Sequence, residues 1–214
     1  PEDFGTDNGD YKKAYATPVV IEAGGRQQLI SQAAKAVLAL DPKTGRELWK
    51  VRYASHSAAT RPLFAHGLLY VGSGRGPSEL LAIRPDGSGD VTDTHVAWRA
   101  GRGIGSSPSP LLVGNLIYTV ADKGGVVSCL DARTGAELWQ QRTGAAANTA
   151  SPLFADGALY FFAEEGTSVV LAVPADHPAN NAKEIPPGTR ISTEFERLTT
   201  RYFDELGIEV HVVW

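Results

Sequence analysis

The stretch ALDPKTGRELW at residues 39–49 decides the fold, because it returns as CLDARTGAELW at residues 129–139. Between them lies a divergent copy, which begins as LAIRPDG at residues 81–87 and reaches Trp98 after an insertion rich in Gly, Asp and Thr. The two close copies are 90 positions apart, so with the divergent copy between them the repeat has a period of about 45 residues.

A second motif repeats with a similar period. It is a proline followed eight positions later by a tyrosine, and it spans residues 62–70, 110–118 and 152–160. Pro18 opens an earlier copy, in which residues 22–28 predict a longer hairpin tip. A period of this size built from short strands is typical of one β-propeller blade, which is a four-stranded antiparallel sheet.

Each part of the repeat has a physical interpretation. The proline lacks an N–H donor and suits the first position of a strand, and the Ala-Asp-Gly or Ala-His-Gly after it suits a hairpin turn. Leu-Asp-x-x-Thr-Gly predicts a third strand ending in a turn, where the carboxylate accepts backbone N–H groups and the glycine is left-handed. Glu-Leu-Trp begins a fourth strand, whose indole is expected to pack between adjacent sheets. The residues assigned to this structural repeat are Asp41, Thr44, Gly45, Trp49, Trp98, Asp131, Thr134, Gly135 and Trp139.

These units resemble the PQQ-like (quinoprotein-type) β-propeller repeat over residues 14–167. A WD-type propeller is a poorer match because no tryptophan is followed by Asp, and kelch is poorer because the Gly-Gly pairs do not share the blade period. The expected fold is mainly β, a partial propeller of about three and a half four-stranded blades. Closed propellers take roughly four to eight blades, so we expect an open ring with two bare blade faces.

The pattern changes after residue 168. VVLAV predicts a buried strand, TEFE matches a helix capping box, and apolar residues at helical spacing predict a helix that ends at Gly207 before a last strand. Strand, helix, strand is typical of a parallel βαβ unit, which a blade does not contain. We therefore predict two parts, a partial propeller at residues 1–167 and a short α/β segment at 168–214.

The second part resembles an internal segment of ATP phosphoribosyltransferase, through VLAVP at 170–174, PPGTRISTEF at 186–195 and LTxRYF at 198–203. Glu196 and Arg197 depart from that family's pattern, and its phosphoribosyl-pyrophosphate loop is not found. Two families that meet at one Val-Leu-Ala string suggest a gene fusion or an assembly join. Amplification across codons 160–180 of the source DNA tests the join, because one uninterrupted product refutes an artefact.

Composition excludes several classes of protein. With 20 Lys and Arg against 24 Asp and Glu, the formal net charge is −4, which offers no basic field for nucleic acid. No apolar run approaches the roughly 18 residues of a membrane span. The single cysteine, Cys129, excludes an internal disulfide and a Cys-rich zinc site. Methionine is absent and the first residues lack signal-peptide features, so we expect a processed chain or a piece of one.

The resemblance to quinoproteins raises the question of a redox cofactor. It implies an adjacent cysteine pair, a Trp platform beneath the quinone, and Glu, Asn and Asp ligands for a metal, and Cys129 alone cannot form the pair. We expect no cofactor, with pyrroloquinoline quinone (PQQ) and calcium as the alternative. Asp86, Asp90 and Asp93 have the carboxylates for a calcium site, but their Gly-rich stretch is more typical of a solvated loop, so no metal site is assigned.

The remaining candidates have structural explanations. The five histidines lack ligand spacing, and His66 occupies a hairpin-turn position. Cys129 stands where Ala39 stands in the sister repeat, as a small buried residue would. GRGIG at residues 101–105 precedes a strand instead of a helix, so it predicts a link between blades, with Arg102 toward the axial mouth.

The expected function is that of a non-catalytic binding or scaffolding module, with a protein partner or small ligand at the propeller face. The alternatives are a fragment of a PQQ-dependent oxidoreductase and a fragment of ATP phosphoribosyltransferase. The resemblance to PQQ-like propellers implies a periplasmic or exported location.

Overall fold

The structure is a computed structural model that describes residues 8–155, 157–172 and 210–212. A single 3-10 turn, at Gly9–Lys12, precedes the strands in this part of the chain. The strands form four sheets, and the sheets follow one another along the chain as propeller blades do. The expectation of a mainly β, partial propeller is confirmed.

Four sheets contain all the named strands. Sheet I has the spatial order β1 (Val19–Ala23), β2 (Arg26–Ala33), β3 (Ala36–Leu40), β4 (Glu47–Arg52) and β8 (Gly89–Asp90). Sheet II has β5 (Leu63–Ala65), β6 (Leu68–Gly72), β7 (Leu80–Ile83) and β9 (Val96–Ala100). Sheet III has β10 (Leu111–Val113), β11 (Leu116–Val120), β12 (Val126–Asp131) and β13 (Glu137–Arg142). Sheet IV has β14 (Leu153–Ala155), β15 (Ala158–Phe162), β16 (Ser168–Ala172) and β17 (Val210–Val212).

The first hairpin differs from its prediction. Gly24 and Gly25 have φ of 59° and 70° and form a two-residue turn, so Glu22 and Gln28 lie within paired strands. The predicted longer tip at residues 22–28 is therefore wrong. Two consecutive residues with positive φ make the tight turn that lets both strands extend to it.

Sheet IV contains more than the hairpin expected from the sequence. β16 pairs antiparallel with β15 and takes the place of a third blade strand, on the C-terminal side of the division predicted at residue 167. β17 then pairs with β16 in parallel, as the strand-helix-strand pattern predicts. The helix predicted before β17 lies outside the described residues.

Tryptophans lie between neighbouring sheets. Trp49 of β4 is fully buried in a cluster with Leu69 and Val71 of β6 and Leu81 and Ile83 of β7, so it joins sheet I to sheet II. Trp98 packs in the same way into a cluster that contains residues of sheet III, and Trp139 packs against residues of sheet IV. Among the described residues, no such cluster joins sheet IV back to sheet I.

A small residue on the third strand makes room for each indole. Ala82 lies between Tyr70 and Trp98 in the register of sheet II, and the two ring centroids are 5.9 Å apart. Cys129 lies between Tyr118 and Trp139 in sheet III, where the separation is 6.0 Å. A bulkier side chain at the centre would separate these rings, so residue size on the third strand matters for the repeat.

Candidate functional site

The alternating strand directions give the arc two distinct ends. We call one end the loop face: it carries the connections between second and third strands and the links between sheets. The other end, the turn face, carries the first hairpin turn of each sheet and the turns before the fourth strands. A groove crosses the loop face, and the structural repeat lies mostly on the turn face.

The groove has two lobes that share Arg75 and Ser107. Lobe 1 has a volume of about 540 Å³ and is also lined by Tyr11, Tyr15 and His56. Lobe 2 has a volume of about 670 Å³ and is lined by residues of both charge signs, including Asp122, Lys123 and Glu164. Volumes of this size fall in the range of small-molecule and side-chain sites.

Backbone pairing fixes Arg75 beside His56. Arg75 N donates to His56 O at 2.7 Å and His56 N donates to Arg75 O at 3.0 Å, which makes an isolated antiparallel bridge. Two residues that exchange both backbone hydrogen bonds project their side chains to the same side. Gly74, at φ 97°, permits this approach, because a Cβ there would clash with His56 O.

Tyr11 and Ser57 contact the His56 side chain. The Tyr11 ring meets the imidazole edge to face, with centroids 4.5 Å apart. Lys35 Nζ lies 6.0 Å from the centre of the Tyr11 ring. The imidazole Nδ1 lies 2.9 Å from the hydroxyl oxygen of Ser57, a residue held at φ 53°. Lobe 1 is therefore lined by the Tyr11 ring and the His56 imidazole, together with the Arg75 side chain.

One acidic residue of lobe 2, Asp122, binds backbone N–H groups of the link between sheets II and III. Ser106 N and Ser107 N donate to the two carboxylate oxygens of Asp122, at 2.8 and 3.1 Å. Glu165, the chain neighbour of the lining residue Glu164, accepts a hydrogen bond at Oε1 from Ala146 N at 2.8 Å, and this bond lowers the pKa of the Glu165 carboxyl. Asn148 is 1% exposed, and neither atom of its amide group has a partner among the described residues. The carboxylates of Asp122, in lobe 2, and of Glu165, beside it, thus hold the links between sheets.

The Asp-x-x-Thr-Gly turn of the structural repeat is closed by hydrogen bonds on the turn face. Asp41 Oδ1 accepts from Lys43 N at 2.8 Å and from Thr44 N at 3.0 Å, and these bonds lower the pKa of the Asp41 carboxyl. Gly45 closes the turn at φ 72°. Asp131, Thr134 and Gly135 build the same turn in sheet III. These contacts explain the recurring residues as turn formers.

The aspartates weighed as a calcium site do not come together. Asp90 belongs to β8, which pairs in parallel with β4, and its Oδ2 accepts from Arg52 Nε at 3.0 Å. Asp86 instead lies 3.6 Å from His95 Nε2, while Asp93 is exposed. Across residues 8–155, 157–172 and 210–212, no group of three or more His, Cys, Asp or Glu side chains has a metal-binding arrangement. The insertion thus fastens sheet II to the outer edge of sheet I.

The other sequence candidates occupy structural positions. His66 has φ 56° in the β5–β6 turn, and its Nε2 lies 3.0 Å from Gly114 O in the matching turn of sheet III. Cys129 is fully buried in β12. Arg102 is exposed in the link between β9 and β10.

Sequence reasoning missed the pair at the centre of the groove. Aligned on the proline that opens each unit, His56 falls where the later links carry Ile104 and Ala146. Arg75 stands alone between two glycines, Gly74 and Gly76. These two positions could have been found as departures from the repeat, because residues that build every blade recur in each unit and residues of a single site do not.

Comparisons with known proteins agree with this architecture. A family model described as outer membrane protein assembly factor BamB matches residues 33–177. The structure of BamB from Moraxella catarrhalis is similar with a TM-score of 0.54 and 19% identity, over 72% of this chain and 45% of that protein. A quinohemoprotein alcohol dehydrogenase from Pseudomonas putida HK5 gives 0.51 and 18%, over 70% and 28%. At these identities the likeness shows the fold.

A separate match concerns a short part of the chain. ATP phosphoribosyltransferase of Methanococcoides burtonii is 44% identical over 48 residues, which is 22% of this chain and 16% of the enzyme. The chain therefore spans about a sixth of the curated enzyme that it matches. None of the helices in the described part of the chain has the length and apolar composition of a transmembrane segment.

Proposed function

Because the chain belongs to the family of the outer membrane protein assembly factor BamB, we propose that it is a non-catalytic binding module that holds a protein partner at its loop face. By the same proposal it acts as a scaffold in the assembly of outer membrane proteins, on the periplasmic side of that membrane. The name of the family supports the setting, and the groove supports the place of contact.

The groove around Arg75 is the observation that carries the proposal. It joins the links of three neighbouring units, and it presents Tyr11, Tyr15 and Arg75 to solvent. Tyrosine and arginine are enriched in protein interfaces, because they offer large contact areas together with hydrogen bonds.

Site-specific photocrosslinking tests the contact face. A photoreactive p-benzoylphenylalanine replaces Ser107, which lines both lobes, and in a matched variant it replaces Ala136, which is exposed on the turn face. Irradiation of cells that make each variant should give discrete adducts from position 107 only. Equal adducts from both positions, or none from position 107, contradict the proposal.

The residues of this chain do not fit PQQ with calcium. The cysteine pair implied by the quinoprotein resemblance cannot form from Cys129 alone, and Asp90 and Asp86 are engaged with Arg52 and His95. We propose that no cofactor binds. Titration with PQQ and calcium should leave the tryptophan fluorescence unchanged, and saturable quenching contradicts this part of the proposal.

Phosphoribosyltransferase activity is also outside the proposal. The matched region covers 16% of the enzyme, and the phosphate loop expected of that family is not found in the sequence. Incubation with ATP and phosphoribosyl pyrophosphate should release no pyrophosphate above the rate without protein. Measurable turnover would assign an enzymatic role to the C-terminal segment.

A further inference from the structure

Lobe 1 of the groove has the chemistry of an anion site. We propose that it binds a carboxylate group, supplied by an acidic segment of the protein partner, with Arg75 as the principal contact. The inference rests on the proposed function and adds the class of partner residue that the loop face selects.

The lining of lobe 1 offers donors and no acid. It contains the guanidinium of Arg75, the imidazole of His56, and hydroxyl groups that include those of Tyr11, Tyr15 and Ser107. Aspartate and glutamate are absent from the described lining, whereas lobe 2 contains both. An anionic group would therefore meet donors and no carboxylate among the described lining of lobe 1, and would be disfavoured by Asp122 and Glu164 in lobe 2.

Arg75 is exposed and uncommitted. Its side chain makes no hydrogen bond or ion pair with the residues that the structure describes, whereas Arg52 and Arg99 are each bound to a carboxylate. A guanidinium presents several N–H groups in a planar fork that matches a carboxylate in a bidentate pair. The bridge to His56 fixes the backbone from which this fork projects.

Tyr11 and Tyr15 enlarge the site in a way that suits a polypeptide ligand. They are 40% and 64% exposed, and both lie on the segment that pairs with the link between sheets I and II. Exposed aromatic rings beside a cation suit a chain segment, which contributes backbone and apolar stems as well as its charge. The net charge of −4 does not oppose this contact strongly, because charges beyond roughly 8 Å are screened at physiological salt.

Fluorescence polarisation with two labelled peptides tests the inference. One peptide alternates Glu and Gly, and the other carries Gln at each Glu. The Glu peptide should bind about tenfold more tightly than the Gln peptide, since charge-assisted hydrogen bonds are stronger than neutral ones. Equal binding of the two peptides overturns the inference.

Matched arginine variants locate the contact. Arg75→Gln should weaken binding of the Glu peptide about tenfold, and Arg75→Lys should fall between, because it keeps the charge and loses the fork. Arg46→Gln removes the same charge from an exposed position on the turn face and should change affinity by less than about twofold. Equal losses in Arg75→Gln and Arg46→Gln overturn the inference. Far-UV circular dichroism verifies that the variants remain folded.

Competition with succinate separates the two sources of a carboxylate. Displacement only at concentrations far above that of the peptide supports an acidic protein segment. Displacement at equal concentration overturns the polypeptide source and assigns lobe 1 to small dicarboxylates. If the Glu peptide does not bind while crosslinks from position 107 persist, carboxylate selection by lobe 1 is wrong and partner docking at the loop face stands. If neither peptide binding nor crosslinks are observed, both proposals are wrong.

Discussion

Replacement of Trp49 by phenylalanine should destabilise the protein more than the same change at either of the other two repeat tryptophans. Trp49 is fully buried between sheets I and II, and its Nε1 donates to Gln28 Oε1 at 2.7 Å. Gln28 is also fully buried, and its Nε2 donates to Pro85 O at 2.8 Å. The indole thus completes a chain of hydrogen bonds that crosses from one sheet to the next.

The magnitude follows from two losses. Phenylalanine leaves Gln28 Oε1 buried without a donor, which costs about 1–3 kcal/mol. The indole exceeds a phenyl ring by roughly 40 Å³, and a cavity of that volume adds about 1 kcal/mol. We expect the free energy of unfolding of Trp49→Phe to fall by about 2–4 kcal/mol.

Trp139 supplies a matched control. It is half-buried, and its Nε1 is buried without an acceptor among the described residues. Trp139→Phe therefore removes an unsatisfied donor and should cost less than about 1 kcal/mol. Trp98, half-buried with its Nε1 3.2 Å from Ala132 O, should be intermediate. Urea unfolding followed by far-UV circular dichroism gives the midpoints, and an equal or larger loss for Trp139→Phe at unchanged m-value refutes the reasoning.

Three further predictions concern the repeat. Gly135→Ala should destabilise more than Gly45→Ala, although their φ values are 73° and 72°, because only at Gly135 would the new Cβ meet a neighbour, 2.5 Å from the Trp98 ring; equal midpoints in urea contradict this. Burial raises the pKa of the Cys129 thiol to about 12, so iodoacetamide at neutral pH should label it only as urea unfolds the protein, and rapid labelling of the native state contradicts its assignment to the core. The pKa of Asp41 is lowered from 3.8 by the N–H groups of Lys43 and Thr44, so its contribution to stability is present above pH 3.8 and is lost as pH falls through the lower folded value. The difference in urea midpoint between the native sequence and Asp41→Ala should be clear at neutral pH and shrink in acid, and a difference that is constant with pH refutes the role of the charge.

The repeat could be predicted from sequence because each element has a local cause. Thr44 and Gly45 predict a turn, because one forms a short-range hydrogen bond and the other adopts a positive φ. The distance from this turn to Trp49 is set within a single strand. Sheet order was equally accessible, since consecutive blades pack side by side. The period of the repeat was therefore sufficient to predict the mainly β fold and the open arc.

The groove could not be predicted in this way, because its contacts join residues from different units. Arg75, in the loop between β6 and β7, pairs with His56 in the link between sheets I and II, and Tyr11 contacts the imidazole from outside the repeat. The parallel pairing of β8 with β4 could not be predicted either. It joins residues of two units, and the two residues of β8, Gly89 and Asp90, are too few to show a strand pattern. The first hairpin fails for a different reason: the spacing predicts a long tip at residues 22–28, but positive φ at Gly24 and Gly25 lets the two strands pair up to a two-residue turn.

The size of the central residue on each third strand determines which units can be duplicated in tandem. Ala39, Ala82 and Cys129 leave space for the indole of the following strand, whereas sheet IV has Val170 at that register position, opposite Tyr160. A tandem copy of the sheet II or sheet III unit would carry a small residue on its third strand, with space for a tryptophan on the fourth. A copy of the sheet IV unit would carry Val170 there and would lack this space. Lengthening of the arc, by recombination or by grafting in the laboratory, should therefore succeed from its middle units.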